Sequence, residues 1–134
     1  MKREERMRRA ILEAMGWTNL HWNCFDLWGL PDGVTPDPRP EGHVMRNHPA
    51  PDPVDNARDA DVLEEWLVGQ GLRVDTTALK TGVLCYLWMD SPARVREGPI
   101  RSWVPASEHG IAACRRRALV EAAWQAVQAM AARA

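Results

Sequence analysis

The sequence predicts an α/β sandwich, an α+β fold in which helices cover both faces of a small, mainly antiparallel sheet. The first observation is a run of apolar or aromatic residues at 83–89, ended by Asp-Ser-Pro, which has the length of a strand rather than of a typical helix. The second is apolar periodicity of the helical kind in three other stretches. The third is a polar turn just before the run, which predicts a hairpin. Because both faces of the run are apolar, it is predicted to be a central strand with both faces covered.

Apolar periodicity predicts three helices, at about residues 3–15, 55–70 and 107–131. Gly16 lies where a left-handed residue would end the first helix. Asp55 or Asn56 can cap the second helix, and Gly71 ends it. The third helix carries a seam of mostly small residues, which lets a helix lie close to a sheet. The three helices therefore supply the layers that the sheet needs.

The other strands are predicted from alternation. Residues 72–78 alternate between apolar and polar side chains, which is typical of a half-exposed strand. The turn at 78–82 pairs this strand with the central one, and Gly82 is expected to need a positive φ. Residues 100–104 are predicted to form either a short edge strand or an extended lead-in to the last helix. Residues 17–30 are extended or looped, with a first strand of uncertain register.

A proline-rich loop insertion at about 31–53 interrupts the single domain predicted for residues 1–134. Its one hint of regular structure is a possible short strand at 42–45. A loop of this length inside a compact domain is usually functional. The sequence therefore directs the search for a partner surface to this insertion first.

Composition narrows the classes of function. The net charge is −1, so no overall positive field attracts nucleic acid, which is not expected as a partner. No apolar run has the length of a membrane span, and the N-terminus lacks the apolar core of a secretory signal. Three cysteines are too few and too scattered for a disulfide framework. These features predict a reduced, cytoplasmic protein that is not associated with a membrane.

Arginine supplies fifteen of the seventeen basic residues. Arg6, Arg8 and Arg9 share the polar face of the first helix, and residues 115–117 are three consecutive arginines in the third. Both groups are interpreted as solvated helix surface. For Arg6, Arg8 and Arg9, the alternative to a solvated surface is a face that binds an anion or a partner.

Metal binding is the sharpest chemical hypothesis. His21 and Cys24 are followed by His43 and His48, a set of soft ligands at nearly finger-like spacing. In an alternating strand, however, His21 and Cys24 would point to opposite faces. The competing interpretation is surface histidines and a core cysteine, with no cofactor.

No catalytic residues are predicted. Cys85 and Cys114 fall on apolar, periodic positions, and no histidine lies at a spacing that suggests a nucleophile–base pair. Glycine-rich phosphate loops are absent from the sequence. Arginine beside tryptophan is the remaining pattern, and it predicts a surface for contact with a ligand or partner, comprising Trp28, Arg94, Arg96, Arg101 and Trp103.

Three local signatures in this order resemble the phage ABA-sandwich family. They are the Ala-Met-Gly-Trp end of the first helix at 14–17, the Asp-Ala-Asp opening of the second helix at 59–61 with Trp66 and the strand at 71–74, and the Ile-Ala-Ala-Cys-Arg-Arg-Arg-Ala-Leu segment at 111–119. The chain departs from the family pattern in its proline-rich stretch and in lacking an aromatic or serine lead-in before the second helix. The resemblance implies a sandwich of sheet and helices, and a viral origin.

The function expected from these observations is that of a small phage accessory protein that binds and does not catalyse. Its expected target is a host protein or defence component in the cytoplasm of an infected bacterium, with self-association through exposed tryptophans. One alternative is a protein that sequesters a nucleotide signal by stacking on tryptophan and pairing with arginine. Another alternative is a zinc-binding module, or a hydrolytic or metal-dependent enzyme, carried by His21, Cys24, His43 and His48.

Overall fold

A computed structural model describes residues 2–23, 25–34, 48–89, 99–106 and 110–132. The elements in chain order are α1 (Arg3–Ala14), β1 (Thr18–Asn23), β2 (Asp26–Leu30), β3 (His48–Pro49), α2 (Ala57–Gly69), β4 (Leu72–Leu79), β5 (Gly82–Met89), β6 (Ile100–Pro105) and α3 (Ile111–Ala132). Within these ranges, three helices and two small antiparallel sheets make an α+β fold, which confirms the predicted class. The possible strand at 42–45 lies outside the described residues.

The strands form two sheets, whereas the sequence predicted one. The second sheet has the order β4-β5-β6, so β5 is its central strand and β4 joins it in the predicted hairpin. The first sheet, β1-β2-β3, was not predicted. Alternation across 17–30 indicated one strand, but the chain reverses at Phe25, whose φ of 72° is left-handed, and β2 returns antiparallel to β1.

Glycine and asparagine set the helix ends much as predicted. Gly16 has a φ of 99° after α1, and Gly71 has a φ of 86° after α2. The Asn56 side chain caps α2 by accepting a hydrogen bond from the Asp59 backbone N–H at 3.1 Å. Gly82 differs from the prediction, because its φ is not positive. Its lack of a side chain makes room for Trp103 on the neighbouring strand, as described below.

The main core lies between the second sheet and the helices. Val83, Cys85 and Leu87 of β5 are at most 2% exposed, and they meet the small residues Ala118 and Ala122 of α3, which are fully buried. Helix α3 packs on β5 and β6, and α2 packs on β4. The small-residue seam predicted for the last helix is thus the surface that faces the sheet.

All three helices belong to that one side of the second sheet. The opposite side carries Leu84, Tyr86 and Trp88 of β5, and among the described residues no helix packs on it. This differs from the expectation that both faces of the central strand would be covered. None of the helices described is both long enough and apolar enough to cross a membrane.

Helix α1 connects the two cores, with Met7 and Ile11 in the main core and Leu12 in a smaller one under the first sheet. The prediction that Arg8 of the same helix is solvated is wrong, since its side chain is only 11% exposed. Its guanidinium donates to the backbone oxygens of Pro51 and Ala50 at 2.8 and 2.6 Å. Arg8 therefore joins α1 to the segment that follows β3.

Two of the three consecutive arginines in α3 also make tertiary contacts. Arg116 Nε donates to the Val54 backbone oxygen at 2.8 Å, and Arg117 forms a 2.6 Å ion pair with Glu4 of α1. Arg115 alone matches the expectation of a solvated side chain, since it is exposed. The arginine run thus holds α1 and the 50–54 segment against α3.

Candidate functional site

The most distinctive surface is the side of the second sheet that faces away from the helices, which we call the open face. Strand register defines it, because residues paired across neighbouring strands point to the same side. Arg73 pairs with Trp88, Asp75 pairs with Tyr86, and Trp103 pairs with Leu84. The remaining described members are Thr77, Leu79, Gly82, Arg101 and Pro105.

Aromatic side chains dominate the middle of the open face. The rings of Tyr86 and Trp88 are stacked, with centroids 6.1 Å apart and planes inclined by 25°. Trp88 is 38% exposed and Trp103 is 41% exposed, although both are large apolar side chains. The Trp103 ring lies across β5 at Gly82, where an added methyl group would approach two ring carbons to 2.7 Å. None of the clefts described below is lined by Tyr86 or Trp88, so the middle of this face is open.

Charged groups lie beside these rings. The Arg73 guanidinium is 5.5 Å from the centroid of the Trp88 ring, within the range of a cation–π contact. Its Nε donates to Asp75 Oδ2 at 3.1 Å, so one arginine joins a ring and a carboxylate. Arg101 is exposed on the neighbouring strand. Aromatic residues and arginine are the types enriched at the centres of protein interfaces.

The clefts found among the described residues are small. One of about 230 Å³ lies between β6, α1 and α3, and its wall includes the ion pairs of Arg3 with Glu121 at 2.7 Å and of Arg117 with Glu4. Another of about 210 Å³ lies between α2 and α3. Pockets that enclose small ligands usually hold about 300–1,000 Å³. The charged groups of the first cleft are also paired with one another, so that cleft offers little to a nucleotide.

The predicted ligand or partner contacts are only partly brought together. Arg101 and Trp103 lie two residues apart in β6 and share the open face. Trp28 belongs to β2 in the other sheet, where its indole Nε1 donates to the Asn23 backbone oxygen at 3.1 Å. Arg94 and Arg96 lie outside the described residues. Two of the five predicted contacts thus fall on one surface.

Two of the four predicted metal ligands can be placed. His21 pairs with Trp28, and His48 pairs with Gly29, so the two histidines extend from opposite faces of the first sheet. The His21 Nδ1 is also 2.8 Å from the Asn19 backbone oxygen. Cys24 and His43 are beyond the part of the chain that the structure describes. Within that part no three candidate ligands converge, and zinc binding stays a prediction.

Cys85 and Cys114 are buried, as predicted. Burial, with a smaller contribution from the carboxylates of Glu64 and Asp75, raises the pKa of the Cys85 thiol to about 12. At pH 8 its thiolate fraction is therefore far smaller than that of an ordinary thiol. This argues against Cys85 as a nucleophile.

Alkylation of the folded protein with iodoacetamide at pH 8 is expected to modify Cys85 at least about a hundredfold more slowly than in 8 M urea, because both exposure and thiolate are lacking. Peptide mapping by mass spectrometry distinguishes Cys85 from the other two cysteines. Rapid labelling of Cys85 in the folded state would contradict the buried, protonated assignment.

Sequence reasoning missed Tyr86 and Trp88 as surface residues, and it did not connect them with Arg73 on the half-exposed strand beside them. The signal was present in the neighbouring strand, where Arg73 and Asp75 alternate with apolar side chains. The hairpin turn fixes the register of that strand against β5, so the polar side of one strand continues as the Tyr86 and Trp88 side of the other. Combining the two patterns would have predicted an open face.

Comparison with known proteins assigns no family. No protein-family model, no curated protein and no solved structure matches the chain. The resemblance to the phage ABA-sandwich family therefore stays a prediction from the sequence motifs.

Proposed function

We propose that this protein acts by binding another protein, without catalysis, and that the open face is the surface it uses. The observation that carries the proposal is the cluster on the open face of exposed Trp88 and Trp103 and half-buried Tyr86, with Arg73 and Arg101 beside them. Soluble domains usually bury such side chains, and aromatic patches left uncovered mark interaction sites. A surface without a cleft around its rings suits a protein partner better than it suits a small molecule.

The size of the open face sets the kind of complex. Three strands spaced about 4.8 Å apart and six to eight residues long give a face of roughly 15 Å by 25 Å. A stable complex buries about 800 Å² on each partner. The open face alone therefore fits a compact contact centred on a few aromatic anchors, with Arg101 placed to meet a carboxylate of the partner.

The resemblance of the sequence motifs to those of phage proteins suggests that the partner comes from the bacterial host. A phage accessory protein that lacks catalytic groups would act on a host protein or defence component in the bacterial cytoplasm. Self-association through the same tryptophans is a competing use of this surface, since one face cannot hold both occupants.

A nucleotide signal is the second candidate ligand. The stacked Tyr86 and Trp88 rings with Arg73 nearby are the features that favour it, since bases stack on such rings and phosphates pair with arginine. Against it, Arg73 is already paired with Asp75, and the face has no walls that would exclude water. The protein partner is therefore ranked first.

The test is site-specific photocrosslinking in the bacterial host. A photoreactive amino acid replaces Trp88 or Trp103, and the matched control carries it at Val68, which is 56% exposed on α2. Crosslinks from both open-face positions to one defined host protein, absent from the control, are expected. The partner is then purified for binding measurements.

With the purified partner, Trp88→Ala and Trp103→Ala are each expected to weaken binding at least about tenfold, since aromatic anchors carry most interface energy. The Val68→Ala control should change the dissociation constant by less than about twofold. Equal binding by all three variants, or crosslinks that are no stronger at the open face than at Val68, would overturn the proposal.

A further inference from the structure

The second sheet has two edge strands, β4 and β6, and they are protected differently. On β6, the side chain of Gln125 donates to the Arg101 backbone oxygen at 3.2 Å, and Pro105 has no N–H to offer. Both are ways of keeping an edge from pairing with another strand. Strand β4 contains no proline, and its second half, Thr76–Leu79, is exposed. The exposed edge is therefore β4.

Hydrogen bonding identifies which groups of β4 face outward. The Ala106 N–H donates to the Thr81 oxygen, so odd-numbered residues of this hairpin arm direct their backbone groups to β6 and even-numbered ones to β4. Arg73 and Asp75 are thus bonded to Trp88 and Tyr86. The outward N–H and C=O groups belong to Leu72, Val74, Thr76 and Ala78, and no described residue bonds to them.

We propose that a second copy of this chain pairs with β4 in antiparallel register, which gives a dimer with a continuous six-stranded sheet. The charges of the strand select the register. With the two-fold axis at Val74, each Arg73 lies opposite Asp75 of the second copy, and both ion pairs form. With the axis at Asp75, two carboxylates lie opposite each other, which is unfavourable. The strand is therefore complementary to itself in one register.

Helix α2, which packs on β4, adds an apolar surface on the same side. Its flank with Asp61 and Glu64 faces α3 across the cleft described above. Val62 lies on the opposite flank of the helix, next to the partly buried Trp66, and is 43% exposed. In the paired sheet the two α2 helices become neighbours, so Val62 gains a partner that the single chain does not supply.

This dimer does not depend on the proposed function, because it uses Arg73 and Asp75 at the margin of the open face and leaves Tyr86, Trp88 and Trp103 free. It places two open faces side by side on one sheet, which about doubles the area available to a partner. The second copy bonds through the strand edge, so it does not use Trp88 or Trp103. Self-association by this route is thus distinguishable from self-association through exposed tryptophans.

Light scattering coupled to size exclusion, with native mass spectrometry, tests the dimer on the wild-type chain between about 1 and 100 μM. A dimer is expected. Thr76→Pro removes an outward N–H without touching the β4–β5 ladder, so it should give a folded monomer. Trp103→Ala is the matched control and should remain a dimer.

Charge exchange keeps the test valid even if the proline variant misfolds. Arg73→Asp and Asp75→Arg are each expected to raise the dimer dissociation constant at least about tenfold, and the double exchange should restore it. A wild-type monomer at 100 μM would overturn the proposal, as would a dimer indifferent to the charge variants. A dimer lost with Trp103→Ala but kept in Thr76→Pro would assign self-association to the open face instead.

Discussion

Replacing Arg8 by methionine is expected to destabilise the protein by about 2–4 kcal/mol. The substitution keeps most of the aliphatic volume but removes the guanidinium that donates to the Pro51 and Ala50 oxygens. Those carbonyl oxygens lose their hydrogen bonds in a partly buried site, and this accounts for most of the expected loss of stability. The ion pairs with Asp26 at 3.3 Å and Asp52 at 3.9 Å contribute less, since the carboxylates are 50% and 35% exposed.

Urea unfolding measures this loss as a lower midpoint at an unchanged slope. Arg6→Met is the matched control on the same helix, because Arg6 is exposed, and its effect should stay within about 0.5 kcal/mol. Arg8→Lys should recover less than half of the loss, since an ammonium cannot reproduce the fork of donors. Equal midpoints for the Arg6 and Arg8 variants would contradict the assigned role.

Arg8 also shows what periodicity leaves undetermined. The helix and its apolar stripe could be predicted, because Met7 and Ile11 recur at helical spacing and are buried. The polar face of the same helix carries Arg6 and Arg8, which pattern alone cannot separate. Arg8 makes a tertiary contact only because the 50–52 segment lies beside it. The position of that segment could not be predicted, because the sequence before it has no apolar periodicity.

The same limit applies to the sheets. The second sheet could be predicted because a turn of two residues joins β4 to β5 and fixes their register. The first sheet could not, since its third strand has only two residues, His48–Pro49, and pairs with β2 across the irregular segment. Long-range pairing of so short a strand leaves no signal in alternation.

The candidate site was half predictable. Arg101 and Trp103 were singled out as neighbours of the right types, and they do share the open face. Trp88 was assigned to a covered strand because both faces of 83–89 are apolar. An apolar pattern reports a tendency to be covered, but it does not say whether the cover belongs to the chain or to a partner. For a strand whose aromatic side chains are covered only by a partner, the apolar pattern of the sequence therefore predicts burial that the single chain does not show.

Gly82→Ala is expected to destabilise the protein by about 1–3 kcal/mol and to disturb the open face as well. A methyl group at this position would lie 2.7 Å from the Trp103 ring and would also collide with the Val104 backbone oxygen. The ring can swing away, but the backbone of the paired strand cannot do so without loosening β6. Strain in this substitution therefore comes from close approach, and φ plays no part in it.

A double-mutant cycle with Trp103→Ala separates the two collisions. In the Trp103→Ala background the ring is gone, so the penalty of Gly82→Ala should shrink but keep the part due to Val104. Gly69→Ala is the matched control, because nothing lies within 4 Å of the added methyl group, and alanine at the end of α2 should be neutral or stabilising by up to about 1 kcal/mol. If Gly82→Ala were as harmless as Gly69→Ala in urea unfolding, the indole of Trp103 would not lie on the strand. The open face would then lack one of the aromatic anchors on which partner binding is proposed to depend.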